Sequence, residues 1–288
     1  MTWEETIQYI RTLPEYAELV EKAYFDEDLL LNVERFRNSE EYEETKKLLK
    51  HYAPNAKTIL DIGSGNGISS IALALDGYEL TASEPDASNT VGAGAIRKLK
   101  KYYGISNMAI YEEYAEKISF PDRLFDVVYI RQAMHHAYNL QMFIKNLSRL
   151  IKPGGLLMTV RDHVIYDEED KNLFLENHPL QKFYGGENAF TEVEYKSAIE
   201  QAGFSIQRIF RHYESVINYF PLSVKEYKSK LIEQEKQLKK NLIKKIGFFG
   251  RIPLVFDLYK KKIGFSNNTF FNEHTIPGRM YSFIACKK

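Results

Sequence analysis

Residues 58–70 read TILDIGSGNGISS, a β-like apolar run that ends in an acid and is followed at once by Gly63, Gly65 and Gly67. If TILDI is a strand and ISSIALA opens a helix, GSGNG is the tight turn between them. That turn lies at the carboxyl end of a strand, where open α/β sheets bind ligands. Glycines there permit positive φ and let a ligand lie on the backbone, while the helix start offers unpaired N–H groups. The spacing is G-x-G-x-G because position 68 is Ile, so it departs from the dinucleotide G-x-G-x-x-G pattern. About twenty residues further on, Glu84 ends the second strand-like run, in LTASEPD, where a carboxylate can accept both hydroxyls of a ribose.

A second set of reactive residues follows two later strand-like runs. FDVVYIRQAMHH carries Arg131, His135 and His136, and LLMTVRDH carries Arg161, Asp162 and His163. At a strand end His163 can serve as a general base, with Asp162 orienting a neighbour or taking a proton itself. His136 is a further candidate base. Arg131 can anchor a cofactor carboxylate or a substrate anion, or pair with an acid such as Asp162. The segment HPLQKFYGGENAFT adds His178, Tyr184, Gly185, Gly186, Glu187 and Asn188, two glycines among polar side chains that suit close approach to a polyol. With His135 and Arg161, the side chains of His178, Tyr184, Glu187 and Asn188 form the expected substrate wall.

The elements that must position these residues alternate. From about 57 to 164, β-like runs exchange with helical patterns at the pace of βαβ units, which implies a parallel sheet with right-handed crossovers. TEVEYKSAIEQAGF and SIQRIFRHYE add a helix and a strand, with Thr191 as N-cap and Glu194 at the capping-box position. GRMYSFIACKK reads as a final strand. The expected organisation is a helical cover over 1–50, a core over 51–213 and 279–288, and two insertions at 165–190 and 214–278 that act as lid or substrate wall.

ILDIGSGNG, SEPD, AEKISFPDRLFDVVYIRQAMHH and LSRLIKPGGLLMTV resemble, in that order and spacing, the successive motifs of class I S-adenosylmethionine-dependent methyltransferases, in the small-molecule branch. The resemblance covers about 57–160. It implies a Rossmann-like, seven-stranded, mostly parallel sheet with helices on both faces and a reversed last strand. It implies S-adenosylmethionine as cofactor and S-adenosylhomocysteine as product. Asp61, Gly63, Ser64 and Gly65 would face the methionine part, Gly67 would complete the loop, and Glu84 with Pro85 would hold the ribose. The family often reads adenine with an Asp where this chain has Tyr114, so Tyr114 or Glu113 would take that contact. His135 and His136 would lie near the transferable methyl.

Lys plus Arg and Asp plus Glu are both 39, so no overall field draws in nucleic acid or an anionic surface. Residues 225–262 are the local exception, with 12 Lys/Arg against 4 Asp/Glu. Their stripe of Val224, Tyr227, Leu231, Leu238, Leu242 and Ile246 reads either as a helix packed on the domain or as a segment peripheral to an anionic membrane or a lipid-linked substrate. Cys286, the single cysteine, excludes an internal disulfide and a Cys-based zinc cluster and fits a reducing, cytoplasmic setting. The N-terminus lacks the apolar core of a secretory signal. No NPPY-type tetrapeptide follows the fourth strand, and no H-E-x-x-H or paired-Asp metal motif is present, so no metal is expected. The expected reaction is methyl transfer to a small molecule, first an oxygen of a sugar or polyol. Alternatives are C- or N-methylation of a quinone-like or amino substrate, and a non-catalytic cofactor-binding protein.

Overall fold

A computed structural model of the chain describes residues 1–263 and 273–288; the part of the second insertion at 264–272 lies outside the described residues. The strands are β1 (Thr58–Ile62), β2 (Glu79–Ser83), β3 (Met108–Tyr111), β4 (Phe125–Arg131), β5 (Ile151–Ile165), β6 (Phe190–Thr191), β7 (Phe204–Phe210) and β8 (Arg279–Lys287). They form one sheet in the order β3-β2-β1-β4-β5-β8-β7, with β6 paired to the far end of β5. β1 to β5 are mutually parallel, and β8 runs antiparallel to both β5 and β7. The expected α/β sheet with a reversed last strand is therefore present, and the two-residue β6 is the one addition. The KPGG stretch of LSRLIKPGGLLMTV falls inside β5: Ile151 pairs with Phe125, the register shifts, and pairing resumes at Leu156 with Val127.

The helices are α1 (Trp3–Arg11), α2 (Ala17–Lys22), α3 (Leu29–Arg37), α4 (Glu40–Tyr52), α5 (Ile68–Leu75), α6 (Ala93–Tyr102), α7 (Leu140–Leu150), α8 (Glu168–Asn177), α9 (Gln181–Tyr184), α10 (Glu192–Gln201), α11 (Val216–Tyr219), α12 (Val224–Ile246) and α13 (Pro253–Lys262). Successive strand residues point to opposite faces, so the central strands feed two apolar layers. Ile59, Val127, Tyr129, Leu156 and Met158 pack under α3 to α6, while Leu60, Val128, Ile130 and Leu157 pack under α7 and α10. Burial on both faces explains why these strands read as continuous apolar runs rather than alternating ones. Thr191 and Glu194 form the capping box foreseen for α10.

α1 and α2 fold back over the carboxyl edge of the sheet. Ile7 and Ile10 of α1 are buried with Val91 and with Leu180, which precedes α9, so the N-terminal cover meets the first insertion above the glycine turn. Trp3 packs edge-on against Phe25 and against Tyr184, at ring separations of 5.6 and 5.3 Å.

Candidate active site

The site is built first from the β1–α5 turn. Gly63, Gly65 and Gly67 all adopt positive φ. A Cβ on Gly63 would lie 2.5 Å from that of Ala133 and one on Gly67 would lie 2.8 Å from Ile96, so the turn fits only without side chains at those two places. Asp61, one residue before the end of β1, is fully buried, with Oδ2 accepting from the hydroxyls of Ser69 and Ser70 at 2.8 and 2.5 Å. Its Oδ1 is buried and has no hydrogen-bond partner among the described residues. Burial raises its pKa to about 6 against those hydroxyl bonds. Ser64 turns its hydroxyl back onto the Asp61 carbonyl.

Glu84 follows β2 and is 7% exposed. One oxygen accepts from Gly65 N–H at 2.7 Å and the other from Asp86 N–H at 2.9 Å, so the acid and the turn are one unit. Burial raises its pKa to about 7, opposed by those two bonds. The residues fit a nucleoside-bearing amino acid: each Glu84 oxygen keeps a lone pair for a hydroxyl, and the unpaired Asp61 Oδ1 is a buried acceptor for a donor group. Pro85 is half-buried beside Glu84, and Tyr114 is 62% exposed on the same edge. Glu113, the other candidate for the adenine contact, is engaged elsewhere: its carboxylate accepts from Ser119 N–H and hydroxyl at 3.0 and 2.7 Å.

Arg131 departs from expectation. Its guanidinium is not free to anchor a cofactor carboxylate, nor does it pair with Asp162, because it forms two bonds to Glu41 at 2.6 and 3.1 Å. Glu41 is completely buried and also lies 4.0 Å from Arg161. Arg161 likewise leaves the expected substrate wall, donating to the backbone carbonyls of Ile217 and Phe220. A buried cation needs such a cage, and one carboxylate here serves two arginines. Glu41 gave no signal in the sequence, since it stands in SEEYEETKK among acids that are mostly solvated.

Beyond Arg131 lies a histidine cluster. The pairing of β5 with β8 shifts between Thr159 and Asp162, and Arg161 takes φ +62° at that irregularity. A bulge of this kind re-aims side chains at a strand end. Here it carries Asp162 to His135, whose backbone N–H and Nδ1 both lie 3.1 Å from Asp162 Oδ1. On its other side His135 Nε2 stands 3.7 Å from Glu187, and Glu187 is 3.7 Å from His178. His163 packs edge-on against the His135 ring at 4.8 Å, and its Nδ1 is bonded to the Gly278 carbonyl. His136 packs tilted against the His135 ring at 4.1 Å, is exposed, and bonds Gly186 O through Nδ1 at 3.0 Å. Asn188 is half-buried next in the chain to Glu187, and Tyr184 closes the edge against Trp3.

The charges in this cluster are set by its neighbours. Burial alone would lower His135, but Asp162 and Glu187 outweigh it and raise its pKa to about 9. Burial works against ionised Glu187 too, yet the surrounding histidines hold it at about 2. Desolvation, aided by the charge of His135, pushes His163 well below the usual range. The sequence named each of these residues without indicating that Glu187 would join His135 and His178.

The family model that matches residues 33–209 is described as a methyltransferase domain. The chain is 35% identical over 112 residues to ubiquinone biosynthesis O-methyltransferase of Rickettsia prowazekii, covering 38% of this chain and 42% of that protein. It is 34% identical over 107 residues to 2-methyl-6-phytyl-1,4-hydroquinone methyltransferase of a Synechocystis strain, covering 36% of this chain and 32% of that protein. The chain thus spans less than half the length of these curated relatives. Among solved structures, a geranyl diphosphate methyltransferase in complex with SAM shares the fold, with a TM-score of 0.56 at 13% identity over 85% of this chain and 84% of that one.

Proposed function

The chain belongs to the methyltransferase-domain family, and from that premise we propose that it transfers the methyl group of S-adenosylmethionine to a hydroxyl of a small molecule. The observation that carries the reading is Glu84, a buried carboxylate hydrogen-bonded to the glycine turn at 2.7 Å. S-adenosylmethionine supplies an electrophilic methyl on a sulfonium. Glu84 would bind the ribose diol, Asp61 Oδ1 would receive a donor of the amino-acid part, and the open backbone of Gly63 to Gly67 would floor the cleft. Pro85 and Tyr114 would flank the nucleoside. The cover of α1 with α9 would keep water from the cleft, which an in-line displacement between held reactants requires.

For a hydroxyl acceptor a base must take the proton. The sequence pointed first to His163, but that ring is 6% exposed and has Nδ1 on a backbone carbonyl. His136 is the better placed side chain: it is exposed and its Nδ1 is fixed by Gly186, which leaves Nε2 as the acceptor. Asp162 then positions His135 rather than acting on the acceptor, and His178, Glu187, Asn188 and Tyr184 wall the pocket.

The acceptor we favour is a quinol-like ring hydroxyl, a reading supported by the names of the two relatives. The polyol suggested by the GGEN loop draws no support from those names. Incubation with methyl-labelled S-adenosylmethionine and parallel panels of catechols, quinols and sugar nucleotides tests this. Label in an aromatic ether supports the reading, label in a sugar restores the polyol, and no transfer to any acceptor counts against hydroxyl methylation.

The second insertion presents Phe248, Phe249, Leu254 and Leu258, each more than half exposed, beside the basic face of α12. Only Tyr227 and Leu242 of the expected stripe are buried in α12. We read this surface as one that approaches anionic lipid. Among the described residues no helix is long and apolar enough to cross a membrane.

A further inference from the structure

Four of the seven histidines of the chain meet at one place in the fold, which methyl transfer with a single base does not require. We propose that His135, His163 and Glu187 form a binding site for a divalent transition-metal ion. One ligand atom from each lies within 4.8 Å of the other two. All three side chains are more than nine-tenths buried. His135 Nε2 and Glu187 Oε2 are 3.7 Å apart, close to the roughly 3.4 Å that separates two donors on a tetrahedral ion of zinc size.

The surroundings of the two rings add an independent observation. A metal-binding histidine almost always donates its other ring N–H to a carboxylate or a backbone carbonyl, which fixes the tautomer and the ring plane. His135 places Nδ1 on Asp162, and His163 places Nδ1 on the Gly278 carbonyl. Both rings therefore hold Nε2 as the donor to an ion. The three chain segments are brought together by the bulge in β5, the turn after β4 and the first insertion, and Asp162 fixes the His135 backbone as well as its ring. Two nitrogens and one carboxylate oxygen select zinc, cobalt, nickel or ferrous iron over magnesium and calcium, which take oxygen ligands. Three protein ligands leave at least one position open. The site does not depend on methyl transfer and would stand if the proposed acceptor were wrong.

The test is a titration of the chelator-stripped full chain with Co²⁺, read from the visible ligand-field bands, with circular dichroism and S-adenosylhomocysteine binding followed on each variant. The expected result is one Co²⁺ per chain. His163→Ala and the shape-preserving Glu187→Gln should lose the bands and weaken binding by about 100-fold or more, and Asp162→Asn should weaken it by about 10- to 100-fold. Replacement of the exposed His51 should change nothing. Absence of stoichiometric Co²⁺ binding by the wild-type chain would overturn the site. So would equal binding by a folded Glu187→Gln variant. Failure of S-adenosylhomocysteine to bind while Co²⁺ binds would sink the methyltransferase reading and leave the metal site standing.

Discussion

The two halves of the carboxyl edge of the sheet are assembled differently. The β1–β2 half places a glycine turn and an acid about twenty residues apart in the chain, and a single pair of backbone bonds to Glu84 completes it. The β4–β5 half draws His135, Asp162, His163, His178 and Glu187 from three segments, and their chemistry exists only once the sheet, the bulge and the first insertion are in place. The first half is assembled largely from neighbours in the chain, whereas the second is a product of tertiary structure. Glu41, reaching from α4 to both Arg131 and Arg161, lies behind both strand ends of the second half.

The largest effect should come from Glu41→Ala. It leaves two buried guanidiniums with no carboxylate and should cost about 3–5 kcal/mol, read as a lowered urea midpoint. An unchanged midpoint would mean that the two arginines find other partners. Next, Glu84→Ala removes charge-assisted bonds to the ribose and should weaken S-adenosylmethionine binding by about 100-fold. Co²⁺ binding in the other half should be unaffected, and coupled losses would erase the distinction between the halves.

Asp162→Asn should lower turnover by about 10- to 100-fold while leaving S-adenosylhomocysteine affinity alone, since it disturbs only the positioning of His135. An equal loss of nucleotide affinity would show that the halves share a site. The pH dependence separates them further. Burial holds Glu84 up at about 7, so below that pH it is neutral and cannot serve as a double acceptor. Affinity for S-adenosylhomocysteine should rise as pH climbs through about 7 and then level off, and Glu84→Gln should flatten that profile. For stability the sign is opposite: a raised carboxyl pKa contributes stability that is present at low pH and lost as pH rises through about 7. The smallest expected effect lies outside both halves. Phe248→Ser with Phe249→Ser should reduce sedimentation with anionic vesicles several-fold and leave nucleotide binding unchanged.

What the sequence made legible follows the same division. The glycine turn, Glu84 and the strand–helix alternation could be read because each is set by neighbours in the chain: positive φ needs glycine, and a doubly covered strand needs a continuous apolar run. The role of Glu41 could not be read, because a buried acid in SEEYEETKK looks like a solvated one until the two arginines arrive from residues 131 and 161. Arg131 was legible as an anion-binding residue but not as one already satisfied. His163 was legible as a base by type and position, and its burial against Gly278 became visible only with β8 in place. The pairing of Glu187 with His135 depends on how an insertion folds back, for which spacing offers no rule.

The measurement that tests the account most directly is calorimetric titration of S-adenosylhomocysteine into the wild-type chain, Glu84→Gln and Glu187→Gln, with NADH as the control nucleotide. Micromolar binding by the wild-type chain and by Glu187→Gln, with binding by Glu84→Gln weakened by about 100-fold and none of NADH, is the predicted result. Undiminished binding by Glu84→Gln would contradict the account, because the acid that joins the glycine turn to the second strand would then have no part in holding the nucleotide.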